Sequence, residues 1–92
     1  MIAQHLVIRG RVQGVGYRYA MTRTAEALGV TGWVRNRRDG TVEAVVKGDE
    51  ELVERLVAWC RRGPPGASVT GVAADPQVVD VALDGFSSRP TA

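Results

Sequence analysis

Apolar and polar positions alternate at the start of the chain. From Gln4 to Val12, the residues Leu6, Ile8, Gly10 and Val12 share one face, with His5, Val7, Arg9 and Arg11 on the other, which predicts a strand. Two glycines in Gln13-Gly14-Val15-Gly16 break the alternation. The period then changes: Tyr17, Ala20, Met21, Thr24, Ala25 and Leu28 recur at helical spacing, and Gly29 stands where that helix would end. Alternation returns over residues 30–36, where Val30, Gly32, Val34 and Asn36 oppose Thr31, Trp33 and Arg35. Asp39-Gly40 predicts a hairpin turn, and the return strand from Thr41 to Lys47 points Val42, Ala44 and Val46 inward. Thr41, Glu43, Val45 and Lys47 are then expected on the open face.

A second helix is predicted after Gly48-Asp49. Leu52, Val53, Leu56, Val57 and Cys60 form its stripe, with acids near its start, Arg61-Arg62 at its end and Gly63-Pro64-Pro65 as a stop. A fourth strand is expected from Ala67 to Ala74 and a short one around Phe86, with the tail from Ser87 to Ala92 expected to fray. The order is the split βαββαβ arrangement: an α+β sandwich of one antiparallel sheet with both helices on one face, in which strands 1 and 3 are central and strand 2 is an edge.

Composition narrows the picture. With 92 residues, 45% of them hydrophobic, the chain is expected to form one domain over residues 1–92 with an ordinary globular core. No stretch is apolar enough to predict a membrane span, and no secretory signal is recognisable. Cys60 is the only cysteine, so neither an internal disulfide nor a zinc site is expected, and a cytoplasmic location fits. The net charge is +2, with acids and bases interleaved apart from Arg35-Asn36-Arg37-Arg38 and Arg61-Arg62. That pattern does not point to nucleic acid as a partner.

Candidate chemistry concentrates in two places. The first is the turn from strand to helix, where two glycines let several backbone N–H groups converge on one spot in front of a helix N-terminus. Such a turn suits an anion, phosphate above all. Arg18 lies in the first helical turn and off the apolar stripe, with a planar fork matched to phosphate oxygens. The plainer reading is that Gly14 and Gly16 satisfy turn geometry and Arg18 is solvated. The P-loop is excluded because no Lys lies nearby, and the dinucleotide fingerprint fails at Tyr17-Arg18-Tyr19. No metal-ligand spacing is present, and nothing places a serine beside His5, the one histidine. The second place is Asn36, an amide whose parity puts it on the apolar face at the end of its strand. It either ties down the Asp39-Gly40 hairpin or acts on a ligand.

Gly10-x-Val12-Gln13-Gly14-Val15-x-Tyr17-Arg18, then Ala25, then Gly32-Trp33-Val34-x-Asn36-x-x-Asp39-Gly40-x-Val42-Glu43 resembles the acylphosphatase family, in register from residue 5 to about residue 75. The resemblance implies a ferredoxin-like fold and hydrolysis of the carboxyl-phosphate anhydride bond of acyl phosphates. It also implies a phosphate held by the loop backbone over Gln13, Gly14, Val15, Gly16, Tyr17 and Arg18 and by the Arg18 guanidinium, with Asn36 positioning the attacking water. The chain departs from the family where Tyr17 stands in place of the usual Phe, and in its more polar C-terminal end.

That reaction asks little of side chains. A carboxylate leaving group, with a conjugate-acid pKa of ~4, departs without protonation. Positioning and electrostatics supply most of the stabilisation of a loose phosphoryl-transfer transition state. No cofactor, no metal and no covalent intermediate are expected. The expected partners are an acyl phosphate and inorganic phosphate, acting on a monomer that contacts no membrane. The alternative is a non-catalytic anion- or RNA-binding module. RNA-binding sheets of this topology stack bases on aromatics of the central strands, and strands 1 and 3 offer none.

Overall fold

A computed structural model describes residues 1–92. Its elements are β1 (Ile2–Arg11), α1 (Tyr17–Leu28), β2 (Thr31–Asn36), β3 (Val42–Gly48), α2 (Glu50–Arg62), β4 (Ser68–Gln77) and β5 (Phe86–Ser88). Both helices appear where the 3.6-residue period places them. The acids Glu50 and Glu51 in the first turn of α2 and Arg61 and Arg62 in its last turn complement the helix dipole.

The sheet runs β4-β1-β3-β2-β5. β1 is antiparallel to β3 and β4, and β2 is antiparallel to β3, giving the ferredoxin-like core that the element order predicts. The sheet as a whole is mixed rather than purely antiparallel, because β5 pairs with β2 in parallel. The register shows why. Gln77 at the end of β4 lies opposite Ala3, Ala3 opposite Lys47, and Lys47 opposite Thr31, where β2 begins. A chain crossing that one end of the sheet can only enter beside β2 in the direction of β2. Consequently β2 is not an edge, since β5 covers it.

The expected fraying from Ser87 does not describe the end of the chain. Arg89 N–H donates to Val34 O, Ala92 N–H donates to Asn36 O, and Arg38 N–H donates to Ala92 O. Polar side chains there hide a backbone that still has partners to find along β2.

The core lies between the helices and one sheet face. Leu6, Ile8, Val34, Val42, Ala44 and Val46 from the sheet are fully buried against Met21, Ala25, Val53, Leu56 and Cys60 from the helices. Burying a side chain of Val or Leu size contributes roughly 1.5–3 kcal/mol. The opposite face is covered along its middle strand. Thr41, Glu43, Val45 and Lys47, expected to be open, are all buried. Glu43 is enclosed by Arg35 Nε at 2.6 Å, His5 Nε2 at 2.7 Å and Arg37 Nη2 at 3.1 Å. Lys47 Nζ donates to the carbonyls of Leu83 at 2.7 Å and Asp80 at 2.9 Å, which lie in the crossing from β4 to β5. Burial raises the tendency of Glu43 to hold a proton. The hydrogen bonds from His5 and Arg35 and the charge of Arg37 outweigh it, so the carboxyl sits below its ordinary range.

Candidate active site

β1 slips out of register with β4 at Arg9/Gly10, and the chain then turns through Gln13-Gly14-Val15-Gly16 into α1. Gly14 (φ 72°) and Gly16 (φ 77°) are both left-handed, a conformation that disfavours a Cβ, while Val15 between them is not. Alternation of this kind turns successive N–H groups toward one concavity. The hydrogen bonding agrees. The first backbone bond of α1 runs from Ala20 N–H to Gly16 O, and no N–H from Gln13 to Tyr19 donates to a protein acceptor. The first turn carries no acidic residue, and Gly16 makes no side-chain cap. The positive end of the helix therefore stays uncompensated by the protein itself.

Arg18 and Asn36 reach this concavity from different elements. A cavity of about 400 Å³ is lined by Gln13, Gly14, Gly16, Tyr17, Arg18 and Asn36. The Arg18 guanidinium makes neither an ion pair nor a hydrogen bond to any protein group. The Asn36 side chain is likewise without a protein partner, because the hairpin is tied by other groups. Asp39 Oδ1 accepts from Thr41 Oγ1 at 2.6 Å and from Thr41 N–H at 2.9 Å, which holds its carboxyl below the ordinary range. Gln13 Nε2 donates to the carbonyls of Arg37 at 2.7 Å and Thr41 at 2.8 Å. Of the two readings open for Asn36, the hairpin role is thus filled by Asp39 and Gln13.

Val15 is the one expected loop residue outside the cavity lining. Its side chain packs against the core. Tyr17 lines the cavity yet turns its phenol the other way, donating to Cys60 O at 2.7 Å. Burial pushes that phenol far above its usual range and pushes the Cys60 thiol up to about 12. Neither group is an acid, base or nucleophile at neutral pH.

Four lining residues were not among the candidate site residues of the sequence: Val12, Tyr19, Thr22 and Ser88. Thr22 lies one helical turn past Arg18, and its Oγ1 donates to Arg18 O at 2.8 Å, so the i,i+4 spacing could have pointed to it. Tyr19 is 69% exposed, and Arg23 lies over its ring at 5.7 Å and bonds its hydroxyl. Ser88 arrives only because β5 pairs Ser88 with Val34, a long-range event with no local signal.

Arg18 is the only cation in the lining, and no carboxylate or imidazole is present there. The chemistry on offer is therefore anion binding by N–H groups and one guanidinium, beside a neutral amide. Residues 4–88 match the sequence profile of the acylphosphatase family. An acylphosphatase of Thermococcus kodakarensis is 61% identical over 71 residues, covering 77% of this chain and 78% of the relative. The crystal structure of an acylphosphatase from Bacillus subtilis superposes with a TM-score of 0.92 at 32% identity, covering 97% of this chain and 99% of that one. The structure of an acylphosphatase from Coxiella burnetii gives a TM-score of 0.91 at 36% identity, with coverage of 96% and 92%. On profile, sequence identity and superposition together, this chain belongs to the acylphosphatase family.

Proposed function

We propose that this acylphosphatase cleaves its substrate in a single displacement at phosphorus. The amides of residues 13–18 and the Arg18 guanidinium grip the phosphoryl oxygens, and the Asn36 amide orients the attacking water. One observation carries the assignment: Arg18 and Asn36, both without protein partners, line one cavity with a run of N–H groups that lack acceptors.

Arg18 takes two phosphoryl oxygens in its fork, and the loop amides take the third. Asn36 Oδ1 accepts from the water and holds its oxygen in line with the scissile bond. A neutral amide is a poor base, so the water's proton passes to a phosphoryl oxygen. The new O–P bond forms as the bond from phosphorus to the acyl oxygen breaks, and the electron pair leaves with the carboxylate. That leaving group has a conjugate-acid pKa of ~4 and departs unaided. Preorganised donors around the spreading charge do the rest, without metal or cofactor.

Inorganic phosphate is the product and a competitive ligand of the same amides. Every group invoked comes from one chain, in keeping with a monomer acting on a small acyl phosphate. Cys60, the single thiol, is buried and unpaired, in keeping with a cytoplasmic setting. No helix is long and apolar enough to cross a membrane.

Hydrolysis of benzoyl phosphate in ¹⁸O-labelled water tests whether water oxygen bonds to phosphorus or to the carbonyl carbon. The label is expected in inorganic phosphate. Label in benzoate would mean attack at the carbonyl carbon and would remove Asn36 and the loop from their roles.

A further inference from the structure

We propose that the Gln13 side chain is a positioning residue that fixes the distance between the phosphate loop and Asn36. The inference rests on the roles given above to the loop and to Asn36, and it takes the Gln13 side chain out of direct contact with phosphate.

The carboxamide of Gln13 has two N–H donors, and both are engaged. Nε2 lies 2.7 Å from Arg37 O and 2.8 Å from Thr41 O. Arg37 follows the last residue of β2, which is Asn36, and Thr41 precedes the first residue of β3. The same two residues close the base of the hairpin, where Arg37 N–H donates to Thr41 O at 2.9 Å. One amide therefore straddles both strands of the hairpin at the level of Asn36, across 24 and 28 residues of sequence. What remains of the carboxamide is Oε1, an acceptor, which an anion repels. Gln13 can help the phosphate through its backbone N–H, but its side chain serves the hairpin.

The consequence is mechanical. The amides and Arg18 belong to the β1–α1 connection, whereas Asn36 belongs to the end of β2. Phosphate binding needs only the first group, and turnover needs both in register. Misplacing a reacting group by about 1 Å can slow a reaction ~10²-fold. Loss of the clamp should therefore act on kcat and spare phosphate affinity.

The experiment compares Gln13→Met, Gln13→Glu, Asn36→Ala and the Gln13→Met/Asn36→Ala double variant with the parent protein. The readouts are kcat for benzoyl phosphate and Ki for inorganic phosphate from pH 5 to 8, with far-UV circular dichroism to certify folding. Gln13→Met keeps length and removes both donors. It is expected to lose at least about tenfold in kcat while Ki moves less than about threefold. In the double variant Gln13→Met should add nothing to the loss caused by Asn36→Ala. Gln13→Glu should gain activity relative to the parent protein as the pH falls, because the protonated carboxyl again offers a donor; this comparison decides the matter if Gln13→Met does not fold.

An unchanged kcat in folded Gln13→Met overturns the proposal, as does a loss of kcat matched by a parallel rise in Ki. Additive losses in the double variant, or a pH profile for Gln13→Glu that matches the parent's, also overturn it while leaving the role of Asn36 intact. Full activity in Asn36→Ala would overturn the role of Asn36 and this proposal with it.

Discussion

The phenol of Tyr17 donates to the carbonyl of Cys60 across 2.7 Å, joining the first residue of α1 to the last turn of α2. The last carbonyls of a helix have no partner within it. Gly63 N–H satisfies Trp59 O, and Tyr17 satisfies Cys60 O. The ring also packs against Trp59 at 5.4 Å. Tyr17→Phe keeps the packing and leaves a buried carbonyl alone. It should lower stability by about 1–2 kcal/mol, read from denaturant midpoints, with kcat of the folded enzyme unchanged. An unaltered midpoint would show that water replaces the hydroxyl without loss.

Arg18→Lys preserves the charge and removes the fork. Loss of a preorganised donor of this kind costs roughly 10²–10³ in kcat. Inhibition by inorganic phosphate should weaken with it, because the same two oxygens are held in product and transition state. A variant still inhibited at the parent concentration of phosphate would contradict the grip assigned to Arg18.

Asn36→Ala separates binding from turnover. Isothermal titration with phosphate should give nearly the parent affinity, whereas kcat for benzoyl phosphate should fall roughly 10²-fold, to a rate still measurable above background. Binding lost along with activity would make Asn36 a phosphate ligand rather than a guide for water.

Acid should act on stability at Glu43, which does not line the cavity. The folded carboxyl is held below its unfolded value, so it contributes stability above the ordinary carboxylate range. That contribution disappears as the pH falls through the lower, folded value. Urea midpoints should therefore drop below about pH 4.5, and the slope should flatten in Glu43→Gln, which should itself cost about 1–3 kcal/mol at pH 7. Equal acid slopes in the two proteins would remove Glu43 as the cause.

Tyr19 offers an exposed ring at the cavity, pinned by Arg23. Tyr19→Ala should raise KM for benzoyl phosphate several-fold and leave KM for acetyl phosphate near its parent value, since only the larger acyl group reaches the ring. Equal changes for both substrates would place the acyl group elsewhere.

Much of this was legible before any coordinates. The periods of β1, α1, β2, β3 and α2 are strong because each element buries one face. Arg18 stood out as a charge next to a glycine turn, and Asn36 as an amide on an apolar face. The partner of Gln13 was not legible, since its bonds span the chain from loop to hairpin and depend on strand order. The burial of Glu43 and Lys47 was hidden for the same reason: alternation assigns a face, but it does not say what covers that face. The path of the C-terminal residues was misread because polar composition says little about backbone pairing.

Placing β5 outside β2 also governs how copies of the protein meet. Only β4 and β5 have a side without a neighbour. β5 is three residues long and is soon followed by Pro90, while β4 carries Pro76. Proline cannot donate to a ladder, so a strand from another molecule finds no long template beside β5, whereas β4 stays uninterrupted ahead of Pro76. The three residues that cover β2 thus keep the strand bearing Asn36 away from edge-to-edge aggregation.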